Sequence, residues 1–411
     1  MLTALLGVVP LAACSADVPV SSAAAPPAAS SPSDTPRPAT STTIRPPSSQ
    51  GQATGDTPYA AVVAGALSPE ARRARSLVYV PNQRAGTLQV IDPRTYAVIA
   101  TSRVAASPEH VVPSHDLRTL WVNSDQGNSL LPIDPRTGRA GRPRPVRDPY
   151  NLYFTPDGRY ALVMAEALQR IDVRDAHSMV LRRSLQVPCR GINHADYNAD
   201  LTVLVVSCEF SGKLAVVDGA ATRVIRMLDL NAIATPGATS PAMARHMGGP
   251  AAGLVAGASS MPQDVRLSPD GRWFLVADML RNGVWAVDAH TFRVDRFVPT
   301  GSGAHSVYLS RDVQKVYVGN RGEGTVSVLN GTTLGQAAKW RIPGGGSPDM
   351  GGVTADGREL WLSGRYNSVV YVFDTSTGRV THRIAVRPGP HGLLVWPQPG
   401  RFSLGHTGNM R

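Results

Sequence analysis

The stretch Val316-Tyr-Val-Gly-Asn-Arg-Gly-Glu-Gly-Thr-Val-Ser-Val-Leu-Asn330 reads as an apolar strand, a polar Gly/Asn turn and an alternating second strand ending in Asn. Val78–Asp92 has the same layout, and weaker copies run over Leu120–Asp134, Ala161–Asp172, Leu204–Asp218, Phe274–Asp288 and Leu360–Asp374. The closing Asx residues are 42, 38, 46, 70, 42 and 44 positions apart, and an insertion over 231–260 accounts for the long interval. Four short strands in a period of about 42 residues, repeated seven times, predict an all-β, seven-bladed β-propeller.

The turns between copies support this reading. Asp92, Asp134, Asp288, Asn330 and Asp374 are each followed three residues later by Thr. An Asx carboxyl or amide oxygen accepts from the backbone two residues on, so these carboxylates are turn formers rather than catalytic acids. Pro-Asp-Gly-Arg at 156–159 and 269–272, with Ala-Asp-Gly-Arg at 355–358, supplies a second repeated hairpin turn. The innermost strands are expected at Val111–Pro113, Leu152–Thr155, near Ala195, and at Val265–Ser268, Val307–Ser310, Gly352–Ala355 and Leu393–Trp396. The last has no later copy to join, so it is expected to close the ring against the strand from Leu77, which removes the exposed sheet edge.

Composition agrees. With 39 Gly and 34 Pro in 411 residues and 42% apolar residues, the chain is neither a helical bundle nor disordered throughout. The net charge of +11 comes almost wholly from Arg, and taking out the charges of residues 15–57 leaves +12. The arginines are spread along the chain rather than gathered in a stripe, so nucleic acid or another anionic polymer is a less favoured partner.

The N-terminal segment gives an address. The apolar run ending Leu11-Ala12-Ala13-Cys14 resembles a lipobox, with 1–13 as lipoprotein signal and Cys14 as lipidation site, though no Lys or Arg precedes the run. Residues 14–57 are rich in Ala, Pro, Ser and Thr and read as a disordered tether before the propeller at 58–411. The expectation is an exported monomer, lipid-anchored to the outer face of a bacterial cytoplasmic membrane.

Tyr317-Val318-Gly319-Asn320 with Gly324-Thr325-Val326-Ser327-Val328-Leu329-Asn330, and Tyr79-Val80-Pro81-Asn82 with Gly86-Thr87 and Val90-Ile91-Asp92, resemble the YVTN repeat of bacterial β-propellers, the YncE-like family. The resemblance runs from 77 to about 397. It implies the fold; it does not imply an activity, because such propellers host enzymes, cofactor domains and binding proteins.

Aligning the copies brings two positions per blade to the head of each inner strand: Glu109/His110, Tyr150/Asn151, Asn193/His194, Gln263/Asp264, His305/Ser306, Asp349/Met350 and His391/Gly392. This ring is the candidate ligand-binding site, for an envelope small molecule or partner protein bound without catalysis. The family is similar to propellers that carry d1 haem or copper. No Cys-x-x-Cys-His or metal-ligand spacing occurs, so no cofactor or metal is expected, and a haem- or copper-associated propeller is kept only as an alternative. Gly301–His305 and Pro388–His391 resemble the Gly-Pro-Arg-His stretch of propeller lactonases without its Arg, which keeps a hydrolase as an alternative. Cys189 and Cys208 are the remaining cysteines. Pairing of the strands around a turn near Asn198–Asp200 sets them opposite one another, and a disulfide is expected.

Overall fold

The computed structural model describes residues 57–235 and 253–411. The signal, Cys14, the tether to residue 56 and the Met243–Met247 part of the insertion lie outside the described residues.

Among the described residues the chain forms seven four-stranded antiparallel sheets. Blade one takes its innermost strand, Leu394–Trp396, from the end of the chain and the other three from Leu77–Asn82, Thr87–Asp92 and Ala97–Arg103. Leu77 pairs with Trp396 and Tyr79 with Leu394, which closes the ring as expected. Blades two to seven begin with the inner strands Pro108–Pro113, Asn151–Phe154, Ile192–Tyr197, Pro262–Leu267, Ala304–Leu309 and Pro348–Val353, and each runs outward in chain order.

Burial follows strand rank. Inner and second strands lie between neighbouring blades, and Leu77–Asn82, Trp273–Asp278 and Ile192–Tyr197 are buried at every residue. Such strands read as apolar runs because both faces are covered. Outermost strands such as Ala97–Arg103 are mostly exposed and polar on one face. Trp273, Trp285, Trp361, Trp396 and Tyr79 fill the wedges between sheets, where large aromatics bury the most area per residue.

The turn carboxylates hold turns. Asp92 Oδ1 accepts from Arg94 N at 2.9 Å, and Asp374 Oδ1 from Thr377 N at 2.8 Å. Asp157 does the same for Arg159 N, and Gly158 beside it takes φ 69°, a conformation a side chain would strain. One position corrects the repeat. Asp172 closes no turn; it lies buried within the strand Arg170–Asp175, paired with Arg170 and Arg174. Asp175 caps that turn instead, accepting from Ser178 N at 2.9 Å, which evens the blade spacing there to 41 and 43 residues.

Cys189 and Cys208 are joined in a disulfide with Cα atoms 5.9 Å apart, at the end of blade four where the sequence places them. The feet of the insertion are pinned together, as Asn231 Oδ1 accepts from Ser259 N at 2.8 Å and Ser260 N at 3.1 Å. The last fifteen residues, unassigned by the repeat, run beneath the inner strands. Leu404 O accepts from Phe154 N, Asn409 donates to Ala195 O, and Arg411 pairs with Asp196 at 2.8 Å. This tail covers the end of the axial channel away from the candidate ring.

Candidate functional site

The sequence puts the ring residues ahead of the inner strands; the structure puts most of them inside. In blades two, four, five, six and seven the pairing shifts register at these residues, between Pro108/His110, Ile192/Ala195, Pro262/Val265, Ala304/Ser306 and Pro348/Gly351. A bulge re-aims side chains and ends regular pairing locally, which explains why polar residues recur in otherwise apolar strands.

The two columns become two tiers around the axis. The first member of each pair faces the mouth: Glu109, Tyr150, Gln263, His305 and His391 line a cavity of about 560 Å³. Asn193 and Asp349 lie buried just behind it. The second members, His110, Asn151, His194 and Asp264, are fully buried one layer deeper.

Asp349 organises one side. Its Oδ1 accepts from Arg321 Nε at 3.0 Å and lies 2.9 Å from His305 Nδ1, and its Oδ2 accepts from His391 Nδ1 at 2.8 Å, with Arg365 Nη1 3.8 Å away. Burial alone would raise this carboxyl, but Arg321 and the two imidazoles outweigh it and hold it well below the usual range. His391 Nε2 then faces the Tyr150 hydroxyl at 3.3 Å and Glu109 Oε2 at 3.6 Å. Burial, only partly offset by Arg365, pushes the Glu109 carboxyl up to about 7. His391 thus stands between the two carboxyls, bonded to Asp349, and Glu109 is the one of the three placed to gain or lose a proton near neutral pH.

Asn193 organises the other side, donating through one amide to both Glu166 and Glu209. Both carboxyls are pushed up, chiefly by burial.

A further ring escaped the sequence reading. The residue directly after the second strand of each blade is Gln83, Asp125, Glu166, Glu209, Met279, Arg321 or Arg365. All but Met279 line the cavity. Going round the ring, blades two to four carry carboxyls and blades six and seven carry guanidiniums, so the mouth is polarised across its diameter. The signal was present: this is the position after Tyr-Val-x-Asn in the two best copies. His406 was also missed, because it stands on the tail outside the repeat.

Seven four-stranded blades around a polar axial cavity define a β-propeller. The chain belongs to the YNCE-like beta-propeller family, whose model matches residues 54–187 and 243–400. No curated protein matches it. Among solved structures it is similar to Kuenenia stuttgartiensis hydrazine synthase, at TM-score 0.58 and 18% identity, covering 80% of this chain and 99% of that one. A functionally unknown protein from Desulfotomaculum acetoxidans DSM 771 gives TM-score 0.60 at 14% identity, covering 78% and 99%. The dihydro-heme d1 dehydrogenase NirN, in complex with DHE, gives 0.55 at 15%, covering 82% and 80%. At these identities the likeness shows the fold alone.

Proposed function

We propose that this propeller binds, without catalysis, a small amphoteric molecule of the cell envelope at its funnel, while tethered to the membrane through Cys14. The observation that supports the ligand class is the polarised mouth. Asp125, Glu166 and Glu209 face Arg321 and Arg365 across a cavity of about 560 Å³, within the usual size for small-molecule sites. A ligand with an anionic and a cationic end matches both halves; a polyanion would meet the acidic half.

The experiment is calorimetric titration of the protein with small zwitterions (amino acids, dipeptides, betaines) and with singly charged analogues. Binding of zwitterions alone, lost in both Arg365→Ala and Glu209→Gln, is the expected result. No binding by the zwitterions overturns the reading. So does tight binding of an anionic polymer that collapses between about 50 and 200 mM salt.

A further inference from the structure

Below the funnel floor three imidazoles meet on the axis. One ring nitrogen from each of His110, His194 and His406 lies within 4.8 Å of the other two, and all three residues are fully buried. His110 and His194 come from the inner strands of blades two and four, beside the bulges, and His406 arrives on the tail. The convergence is built in. Gly392 has no side chain where a Cβ would strike the His110 ring, and at Gly405 a Cβ would strike Tyr153 and Leu152, so the tail reaches the axis only as glycine.

Each ring is held by its other nitrogen. His110 Nδ1 lies 3.0 Å from Tyr150 O, and His194 Nδ1 lies 3.0 Å from Asn193 Oδ1. Both partners accept, so both rings carry the proton on Nδ1 and a lone pair on Nε2. The Nε2 atoms of His110, His194 and His406 have no hydrogen-bond partner, and neither has Asp264 Oδ1, which is 3.6 Å from His406 Nε2. Buried polar atoms are rarely left so, and four in one place call for a common partner, a water or an ion.

We propose that Nε2 of His110, His194 and His406 form a three-imidazole site for a late first-row divalent cation, with Zn²⁺ the best fit and Asp264 the adjacent anionic oxygen. Imidazole donors suit Zn²⁺, Cu²⁺ and Ni²⁺, and three histidines with a further position open is a recurrent zinc arrangement. Tyr150 and Asn193 act as the outer partners that fix ring orientation. Bonds of ~2.1 Å set donor atoms roughly 3.4 Å apart, so the rings draw together on binding. His406 must also change tautomer, because Asn151 Nδ2 now faces its Nδ1 at 3.0 Å; turning the amide oxygen to the ring gives up the bond it accepts from Leu152 N at 2.9 Å. The funnel is the entry route. His391 lines the cavity, and its ring centroid is 4.8 Å from that of His110.

This site is independent of the funnel ligand, and its test is separate. Full-length, tag-free protein stripped with a chelator is titrated with Zn²⁺ and with Co²⁺. One equivalent per chain is expected, with the intense visible bands of four-coordinate Co²⁺ and imidazole scattering in X-ray absorption. His194→Ala and His406→Ala should each weaken Zn²⁺ binding by roughly 100-fold or more, while His290→Ala, on the surface, leaves it unchanged. Thermal melts of the metal-free variants establish that they are folded. If one variant fails to fold, the wild-type Co²⁺ spectrum and stoichiometry decide alone. No stoichiometric binding by the wild type, or binding undiminished in folded His194→Ala and His406→Ala, overturns the proposal.

Discussion

His391 Nδ1 lies 2.8 Å from Asp349 Oδ2, a buried hydrogen bond that ties the closing segment of the ring to blade seven. The same carboxylate also pairs with Arg321 and lies 2.9 Å from His305, so a single residue offsets part of the positive charge of the basic half of the funnel from behind. Asp349→Asn keeps the shape and removes the charge. The buried guanidiniums lose their main counter-charge, at an expected cost of about 3–5 kcal/mol. Urea denaturation measures it, and a loss under about 1 kcal/mol would show that solvent already screens the cluster.

Glu109 sets a pH dependence of opposite sense to that of an ordinary paired carboxylate. Its folded pKa, raised to about 7, lies above that of the unfolded chain. Its contribution is therefore complete below about pH 4.3 and is lost as pH rises through about 7, on the order of 3 kcal/mol in all. Glu109→Gln should gain stability relative to wild type as pH goes from 5 to 8. Parallel stability profiles for the two proteins would refute this.

The Cys189–Cys208 bond closes a loop of about 20 residues, worth roughly 3 kcal/mol through restriction of the unfolded chain. The double variant Cys189→Ser/Cys208→Ser should lose that amount, and thiol counting on denatured, non-reduced protein lacking Cys14 should find none free. Two free thiols would contradict the bond.

Membrane attachment is predicted to depend on Cys14 alone. Cys14→Ala should move the protein from the membrane to the soluble fraction in cell fractionation, with the propeller still folded. Unchanged partitioning would mean that something else holds it there.

Blade number and the disulfide were legible because each rests on a pattern local to one or two repeats, and ring closure because the last inner strand has no later copy to join. An apolar strand, a Gly/Asn turn and an Asx stop specify a hairpin wherever they occur, and seven of them in series leave one closed arrangement. Asp172 misled because it stands in mid-strand: Arg170–Asp175 has the same six residues as Thr87–Asp92 in length, so the position that matches Asp92 and caps the turn is Asp175.

The ring at the inner strands was legible as a column of polar residues, but not its division into two tiers. In five blades that division coincides with a bulge, which is a property of strand pairing rather than of composition. The sequence by itself determined the propeller, its seven blades and the polar residues at their inner edges, because hydrophobic period and turn chemistry act over a few residues. Only the closed ring decided that Asp125, Glu166 and Glu209 oppose Arg321 and Arg365, and that His110, His194 and His406 meet. Residues nearly 300 positions apart become neighbours only when the last strand pairs with the first and carries the tail beneath the axis.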